Sequence, residues 1–255
     1  MAITMAGFGS RFAAAGYKQP KYQIEALGMP LFDWSMLSLQ GFQAAGWRFS
    51  FAVRRADGAA DFIRQRCSRL GIEVARLLEL DAPTDGQATT ALALAEAASP
   101  SDPFAVFNID TFVNPEKLQP ATIPPGCDGW IPCFPGEGDG WSFARTDEDG
   151  RVVELREKTR ISPHATVGLY WFRSVSRYTA AYSAYFSAGK GEEKGERYIA
   201  PLYNQLLADG DDVRITSLEL ADVGLLGTPA QVEAFMRDPP PPARLLARFD
   251  QGGAG

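Results

Sequence analysis

The sequence predicts an α/β protein with a mainly parallel central sheet and an inserted antiparallel layer. Three observations carry that expectation. Short β-prone runs alternate with amphipathic helical stretches through about residue 120. A group of strand-like segments then gathers around an Asp149-Gly150 hairpin signal, and helical patterns return near residue 174. With 255 residues, 45% of them hydrophobic and 22% charged, the chain can build one continuous core.

Taken in order, residues 2–6 read as the first strand, followed by a long loop. Pro30 opens a helix through "PLFDWSMLSLQGF", with Leu31, Trp34, Leu37 and Leu39 broadly on one side. "RFSFAVRR" is the second strand, and a helix runs from Asp57 to a terminating Gly71. "IEVARLLEL" is the third strand, "DGQATTALALAEAAS" a helix, and "PFAVFNID" a strand ending in a carboxylate. "CDGWIPCF", "GWSFARTD", "RVVELREK" and "ATVGLYWF" read as the antiparallel strands. Helices are expected at 174–188, over "ERYIAPLYNQLLADG" and after Thr228, with a strand near 213–218. "DPPPPA" reads as a stiff extended linker, and "RLLARF" with "DQGGAG" as a short helix with a frayed tail.

The 31 acidic residues outnumber the 25 basic ones, so no general cationic field for nucleic acid or anionic lipid is expected. Any phosphate chemistry must use a few local cations. Cys67, Cys127 and Cys133 are odd in number and fit no zinc spacing, which points to buried thiols in a reducing compartment. Neither a signal-peptide pattern nor a membrane-length apolar run is present, and the expected location is the cytoplasm. The only histidine, His164, lies in the loop-like "ISPHA", so no Ser-His or Cys-His nucleophile system is indicated.

The opening "AITMAGFGSRF" raises the question of a phosphate loop. A dinucleotide fingerprint would need a third glycine where Phe12 stands. A Walker-type loop would need lysine and a hydroxyl directly after its last glycine, whereas Tyr17 and Lys18 follow Gly16. What remains is Gly7-x-Gly9-x-Arg11, then Pro20-Lys21, then "GMPLFDW". Glycines let backbone amides approach a phosphate closely, while Arg11 offers a planar fork and Lys21 a point charge to the same anion.

In combination, "MAGFGSRF…GYKQPKYQI…GMPLFDW" resembles the signature of the sugar-nucleotide pyrophosphorylases, nucleotidyltransferases that include the glucose-1-phosphate thymidylyltransferases. The resemblance continues in register. "DGQATTALALA" is similar to the family's base-recognition segment, "FNID" to its metal-binding aspartate and "ELREK" to its sugar-contacting E-K pair. "TVGLYWF" resembles the following strand, and "LLGTPAQVEAF" the closing G-T motif. With "ERYIAPLYNQLL", the opening variant further resembles members encoded with capsule or surface-polysaccharide genes.

The resemblance implies a Rossmann-like, GT-A-like nucleotidyltransferase fold, with helices flanking the sheet and the antiparallel layer binding sugar. It implies one domain over residues 1–236, nucleotide-binding in 1–120 and sugar-binding in 121–236, before a linker and tail over 237–255. The implied reaction is in-line attack of a sugar 1-phosphate on the α-phosphorus of a nucleoside triphosphate, releasing pyrophosphate with Mg²⁺ as cofactor. Such chemistry rests on positioning and charge neutralisation. Arg11 and Lys21 would stabilise the transferred and departing phosphates, each contributing about 3 kcal/mol in the transition state. Asp110, at the carboxyl end of its strand, would hold the metal, although a helix N-cap role explains it too. Asn108 either steadies that carboxylate or is a strand-end amide.

The nucleotide would lie over Ala6, Gly7, Gly9 and Ser10 and against Gly86, Gln87 and Ala88, residues that a helix-capping turn also explains. The acceptor would meet Gly140, Glu157, Lys158, Thr166, Val167 and Gly168, with Trp130 and Trp141 either flooring the site or serving as core. In one respect the chain departs from the family. Its usual second metal ligand is replaced by Leu225, so Asp222 has shifted into that role, or Asp110 and substrate phosphates hold the ion alone, or activity is lost. The second alternative is favoured, because Mg²⁺ leans on phosphate oxygens and water. The base, the sugar and any homo-oligomeric state stay open; a phosphocholine-type cytidylyltransferase and a non-catalytic nucleotide-sugar sensor are the rival functions.

Overall fold

The apolar run at the amino terminus enters the sheet as β1 (Ala2–Thr4), shorter than expected because the chain leaves the ladder once the Met5 amide has donated to the Ala52 carbonyl. The structure, a computed structural model, describes residues 1–187, 192–193 and 195–252. The expected long loop after β1 instead contains a short helix α1 (Ser10–Ala14) and a small hairpin of β2 (Glu25–Ala26) and β3 (Met29–Pro30). Phe12, 2% exposed, anchors α1 to the core, a tertiary reward that local propensity does not reveal.

The single helix expected from Pro30 is two, α2 (Leu31–Leu37) and α3 (Gln40–Ala44). Ser38 marks the break: its hydroxyl donates to the Trp34 carbonyl and accepts the Val113 amide. Every residue of α2 is buried, so its apolar face is no stripe. Next come β4 (Phe49–Arg54), α4 (Ala60–Leu70), β5 (Val74–Leu80), α5 (Gln87–Ala95), β6 (Phe104–Asn108) and β7 (Thr111–Val113). The helix expected from Asp57 starts at Ala60 because Gly58 turns left-handed, and it stops at Gly71 as its sequence predicts.

The inserted layer holds β8 (Gly129–Pro135), β9 (Ser142–Thr146) and β10 (Val152–Glu157), the last two joined across Asp149-Gly150. "ATVGLYWF" is split into β11 (His164–Thr166) and β12 (Leu169–Phe172). Then follow α6 (Val175–Ser187), β13 (Glu192–Glu193), β14 (Glu196–Arg197), α7 (Tyr203–Ala208), β15 (Val213–Ser217) and β16 (Val223–Leu225). The helix expected from Glu196 therefore begins later, with a 3-10 turn at Ala200–Leu202 leading into α7, the segment before it being tied across to Asp85 by the Arg197 amide.

The chain closes with α8 (Pro229–Arg237), capped by the Thr228 hydroxyl, and α9 (Pro241–Gly252). The proline run is thus no extended linker. Pro241 and Pro242 occupy the first turn, where the missing amide costs nothing, and Ala243 is fully buried. The last residues of the expected frayed tail, 253–255, lie outside the described residues.

Ten strands share one sheet in the order β10-β9-β11-β8-β12-β6-β1-β4-β5, with β15 beside β8. β6, β1, β4 and β5 run parallel, and β12 joins them antiparallel through β6. Side chains alternate across it. Ile3, Phe51 and Phe107 face one core with Phe32 and Ile63; Ala2, Ala52 and Val106 face the other with α5 and α6. Both faces are covered, which is why the parallel strands read as nearly continuous apolar runs.

Candidate active site

The carboxyl ends of β1 and β6 lie side by side, and the segments leaving them carry the charged groups. Asp110 follows β6 by two residues, and Lys21 follows the glycine loop and α1. Their side chains meet, with Lys21 Nζ 3.2 Å from Asp110 Oδ2, the two being 21% and 30% exposed. Asp110 is succeeded by β7 and not by a helix, so it caps nothing. Two cavities open on this point. One of about 280 Å³ is lined by Ala6, Gly7, Phe8, Lys21, Gly86 and Gln87; the other, of about 360 Å³, by Arg11, Gly140, Trp141, Glu157 and Thr166. Asn108 and Asp110 line both.

On the first side, Gly9 takes a left-handed conformation at the start of α1, and Ser10 is exposed on that helix; neither lines the cavity. Phe8 is 63% exposed beneath the Arg54 guanidinium, 5.1 Å from its ring centre. Arg54 pairs with Asp57 at 2.5 Å, and Asp57 accepts the Tyr22 hydroxyl. Gln87 spends its amide N–H groups on Thr4 Oγ1 at 3.0 Å and on Asn108 Oδ1. It braces the strand ends. Gly86 must be glycine for a structural reason: with φ +135°, an added Cβ would lie 2.5 Å from the Arg197 amide. Ala88 is fully buried, its carbonyl taking the Tyr178 hydroxyl, and does not face the cavity.

The second side is built from buried side chains. The Thr166 and Tyr170 hydroxyls lie 2.9 Å apart, Tyr170 donates to Ser142 at 3.2 Å, and Ser142 donates to Glu157 Oε2. Each hydroxyl has one proton, so the series points toward the carboxylate, with Thr166 donating to Tyr170. Burial, followed by the charge of Glu157, pushes the Tyr170 phenol well above its usual range, so it remains a donor. Gly168 separates β11 from β12 at φ +84°, its Cα pressed so close to Asn108 that a Cβ would meet its side chain at 2.7 Å. Val167 and Gly168 line the cavity.

Lys158 is not among the residues facing that cavity. Its ammonium lies 3.8 Å from Glu157 Oε1 and donates to the Tyr198 hydroxyl, and its backbone is left-handed at φ 50°. Arg11 faces this side with no bonded partner among the described residues. Trp141 lines the cavity, whereas Trp130 is fully buried and donates to Thr216 at 2.8 Å, a core residue. His164 begins β11 and lines neither cavity. The three cysteines are free and buried.

Asp222 is removed from the junction by strand register. β16 pairs antiparallel with β7, Val223 opposite Val113 and Leu225 opposite Thr111, so Leu225 stands at the Asp110 end and Asp222 beyond the far end. There Asn114 Nδ2 donates to Asp222 Oδ1 at 2.8 Å. Among the described residues no group of three or more His, Cys, Asp or Glu is placed to hold a metal. The Asp110 carboxylate, open to both cavities, would suit Mg²⁺ as one oxygen ligand, since that hard cation is commonly held by one or two carboxylates and keeps several waters.

Several lining residues are not singled out by the sequence: Thr4, Thr84, Thr90 and Glu196 on the first side, Ser142, Tyr170, Glu137 and Asp139 on the second, although Thr90, Tyr170 and Glu196 lie within the segments that carry the resemblance. For Ser142 a signal existed. A hairpin centred on Asp149-Gly150 pairs Ser142 opposite Glu157, which is the register observed.

No protein-family model and no curated protein matches the sequence. Among solved structures, the chain is similar to a nucleoside-diphosphate-sugar pyrophosphorylase from Vibrio cholerae RC9, with 36% identity and a TM-score of 0.84 over 93% of this chain and 100% of that one. It shares its fold with the inositol-1-phosphate CTP transferase of T. maritima, with 18% identity and a TM-score of 0.71 over 90% and 89% of the two chains. The fold also matches a structure from Bacillus anthracis, described as a glucose-1-phosphate thymidylyltransferase with sucrose, with 16% identity and a TM-score of 0.72 over 93% and 94%. Identity at that level along the whole Vibrio chain, on the same fold, places this chain in the nucleoside-diphosphate-sugar pyrophosphorylase family of nucleotidyltransferases.

Proposed function

We propose that the protein transfers a nucleoside monophosphate from a nucleoside triphosphate to a sugar 1-phosphate, forming a nucleoside-diphosphate sugar and releasing pyrophosphate. The observation that carries this reading is the meeting of two cavities at Asp110 and Asn108, with the Lys21 ammonium held at the same point. A two-substrate phosphoryl-type transfer needs such an arrangement, one anion entering from each side and the reacting phosphorus between them.

The triphosphate occupies the side lined by Ala6, Gly7 and Gln87, and the acceptor occupies the side lined by Glu157, Thr166 and Val167. Lys21 neutralises charge on the α-phosphate and on the departing pyrophosphate. Arg11 binds the acceptor phosphate with its planar fork and aims its oxygen along the line of attack. Glu157 accepts hydrogen bonds from acceptor hydroxyls. Held by Asp110, an Mg²⁺ would supply charge neutralisation at the phosphate oxygens. Surface-glycan assembly in the cytoplasm is the role we infer from the opening and "ERYIAPLYNQLL" variants.

The test is a panel of triphosphates with sugar 1-phosphates, read by pyrophosphate release. The proposal expects turnover with at least one pair and loss of it in Lys21→Ala. Measurable binding of a nucleotide sugar without turnover by any pair would instead support a sensor, the reading that Leu225 favours.

A further inference from the structure

Apart from the backbone amides that open α5, the wall of the first cavity formed by residues 83–90 and Glu196 has an unusual hydrogen-bonding character in its side chains. Its side chains offer acceptors and spend their donors elsewhere. Thr84 and Thr90 each own one hydroxyl proton, and their hydroxyls lie 2.7 Å apart, while each is also within 3.2 Å of the Gly86 carbonyl. One proton must serve the carbonyl and the other the hydroxyl pair, which exhausts both. Gln87 gives its two amide hydrogens to Thr4 and Asn108, leaving its carbonyl oxygen. Glu196, as a carboxylate, has only acceptor capacity, and it forms no ion pair among the described residues.

The position of Glu196 is fixed by its neighbour. The Arg197 amide donates to the Asp85 carbonyl at 2.7 Å, its guanidinium pairs with the Asp85 carboxylate at 3.2 Å, and its backbone fills the space that a side chain at position 86 would need. β14 is therefore stapled to the turn that opens α5, which brings Glu196 onto the cavity. A carboxylate there repels phosphate, so the phosphates belong at the Lys21 end and this wall faces the base.

Resting on the nucleotidyltransferase reading above, we propose that the nucleotide cavity selects a triphosphate whose base carries an exocyclic amino group, with Glu196 as a base-reading residue. Cytosine, adenine and guanine present N–H₂ donors to such a wall. Uracil and thymine present a carbonyl oxygen where cytosine presents its amino group, and that oxygen would face the acceptors unpaired.

Titration calorimetry of CTP, GTP, ATP, UTP and dTTP with the full chain tests this independently of turnover. At least one amino-bearing triphosphate is expected to bind tenfold or more tightly than both UTP and dTTP, and Glu196→Gln, whose amide adds a donor, is expected to shrink that ratio several-fold. The inference is overturned if UTP or dTTP binds as tightly as the best amino-bearing triphosphate, or if Glu196→Gln leaves the ratio unchanged. Turnover with UTP or dTTP as the preferred substrate overturns it while leaving the nucleotidyltransferase reading intact. Failure of all five to bind overturns both.

Discussion

The two sides of the junction are made differently. The nucleotide side is assembled from loop backbone and strand ends: the turn at Ala6–Gly7, the start of α5, and Lys21 reaching in from a short segment after α1. The acceptor side is assembled from strand side chains of the antiparallel layer, joined in a buried series from Thr166 to Glu157. On the nucleotide side, the Ala6–Gly7 and Lys21 end suits phosphate, because backbone amides and a point charge address that group without reading what it is attached to, while the base is proposed to meet the side chains of residues 83–90 and Glu196. A strand-built wall fixes individual hydrogen-bonding atoms in space, which is what distinguishing one polyol from another requires.

The largest expected effect falls where the two sides meet. Lys21→Ala and Asp110→Asn should each lower kcat by about 10²- to 10³-fold, the usual cost of one preorganised electrostatic contact. Their unfolding midpoints should change little, since a partly exposed ion pair contributes about 1 kcal/mol or less. Near-normal turnover in either variant would separate the ion pair from the reaction.

Next in size are the substitutions that divide the two sides. Ser142→Ala and Tyr170→Phe should raise KM for the acceptor about tenfold, the equivalent of one hydrogen bond of about 1–1.5 kcal/mol, while leaving KM for the triphosphate unchanged. If both constants rise together, the hydroxyl series supports the fold and not the acceptor. Gly86→Ala addresses the nucleotide side. With φ at +135° and the Arg197 backbone in the way, it should cost about 1–3 kcal/mol and lower the midpoint in the absence of any ligand.

The smallest effect concerns what the two sides share, a sealed interior. Burial pushes the Cys67 thiol up to about 12 and that of Cys127 up to about 11. Both folded values exceed the unfolded one of about 8.5, so the thiols favour the folded state fully below that pH, and their contribution falls as pH rises above it. Iodoacetamide at pH 8 should therefore modify neither until the chain unfolds, as mass spectrometry would show.

Much of the nucleotide half was legible because its signals are local. Gly71 ends α4, the apolar runs of β4 and β6 form buried parallel strands, and the glycine loop precedes Lys21 by a recognisable spacing. α1 was hidden because five residues make a helix only when the core rewards Phe12. The break at Ser38 depends on a hydrogen bond from Val113, 75 residues away, which no local pattern reveals. The prolines of α9 misled for a related reason: stiffness is their local property, and the buried Ala243 behind them is a tertiary one. In the site, motif spacing pointed to Asp110, Lys21 and Glu157. Asp222 was eliminated only by the β7–β16 register, and Tyr170 emerged only from packing.

The central claim is that substrates enter from opposite sides and react at Asp110 and Lys21. A crystal structure with the nucleotide-sugar product bound tests it directly. The diphosphate should lie at the Lys21 ammonium and the Asp110 carboxylate, with the base against residues 83–90 and the sugar against Glu157. A product whose two ends share one cavity, or whose diphosphate lies beyond the reach of Lys21, would contradict it.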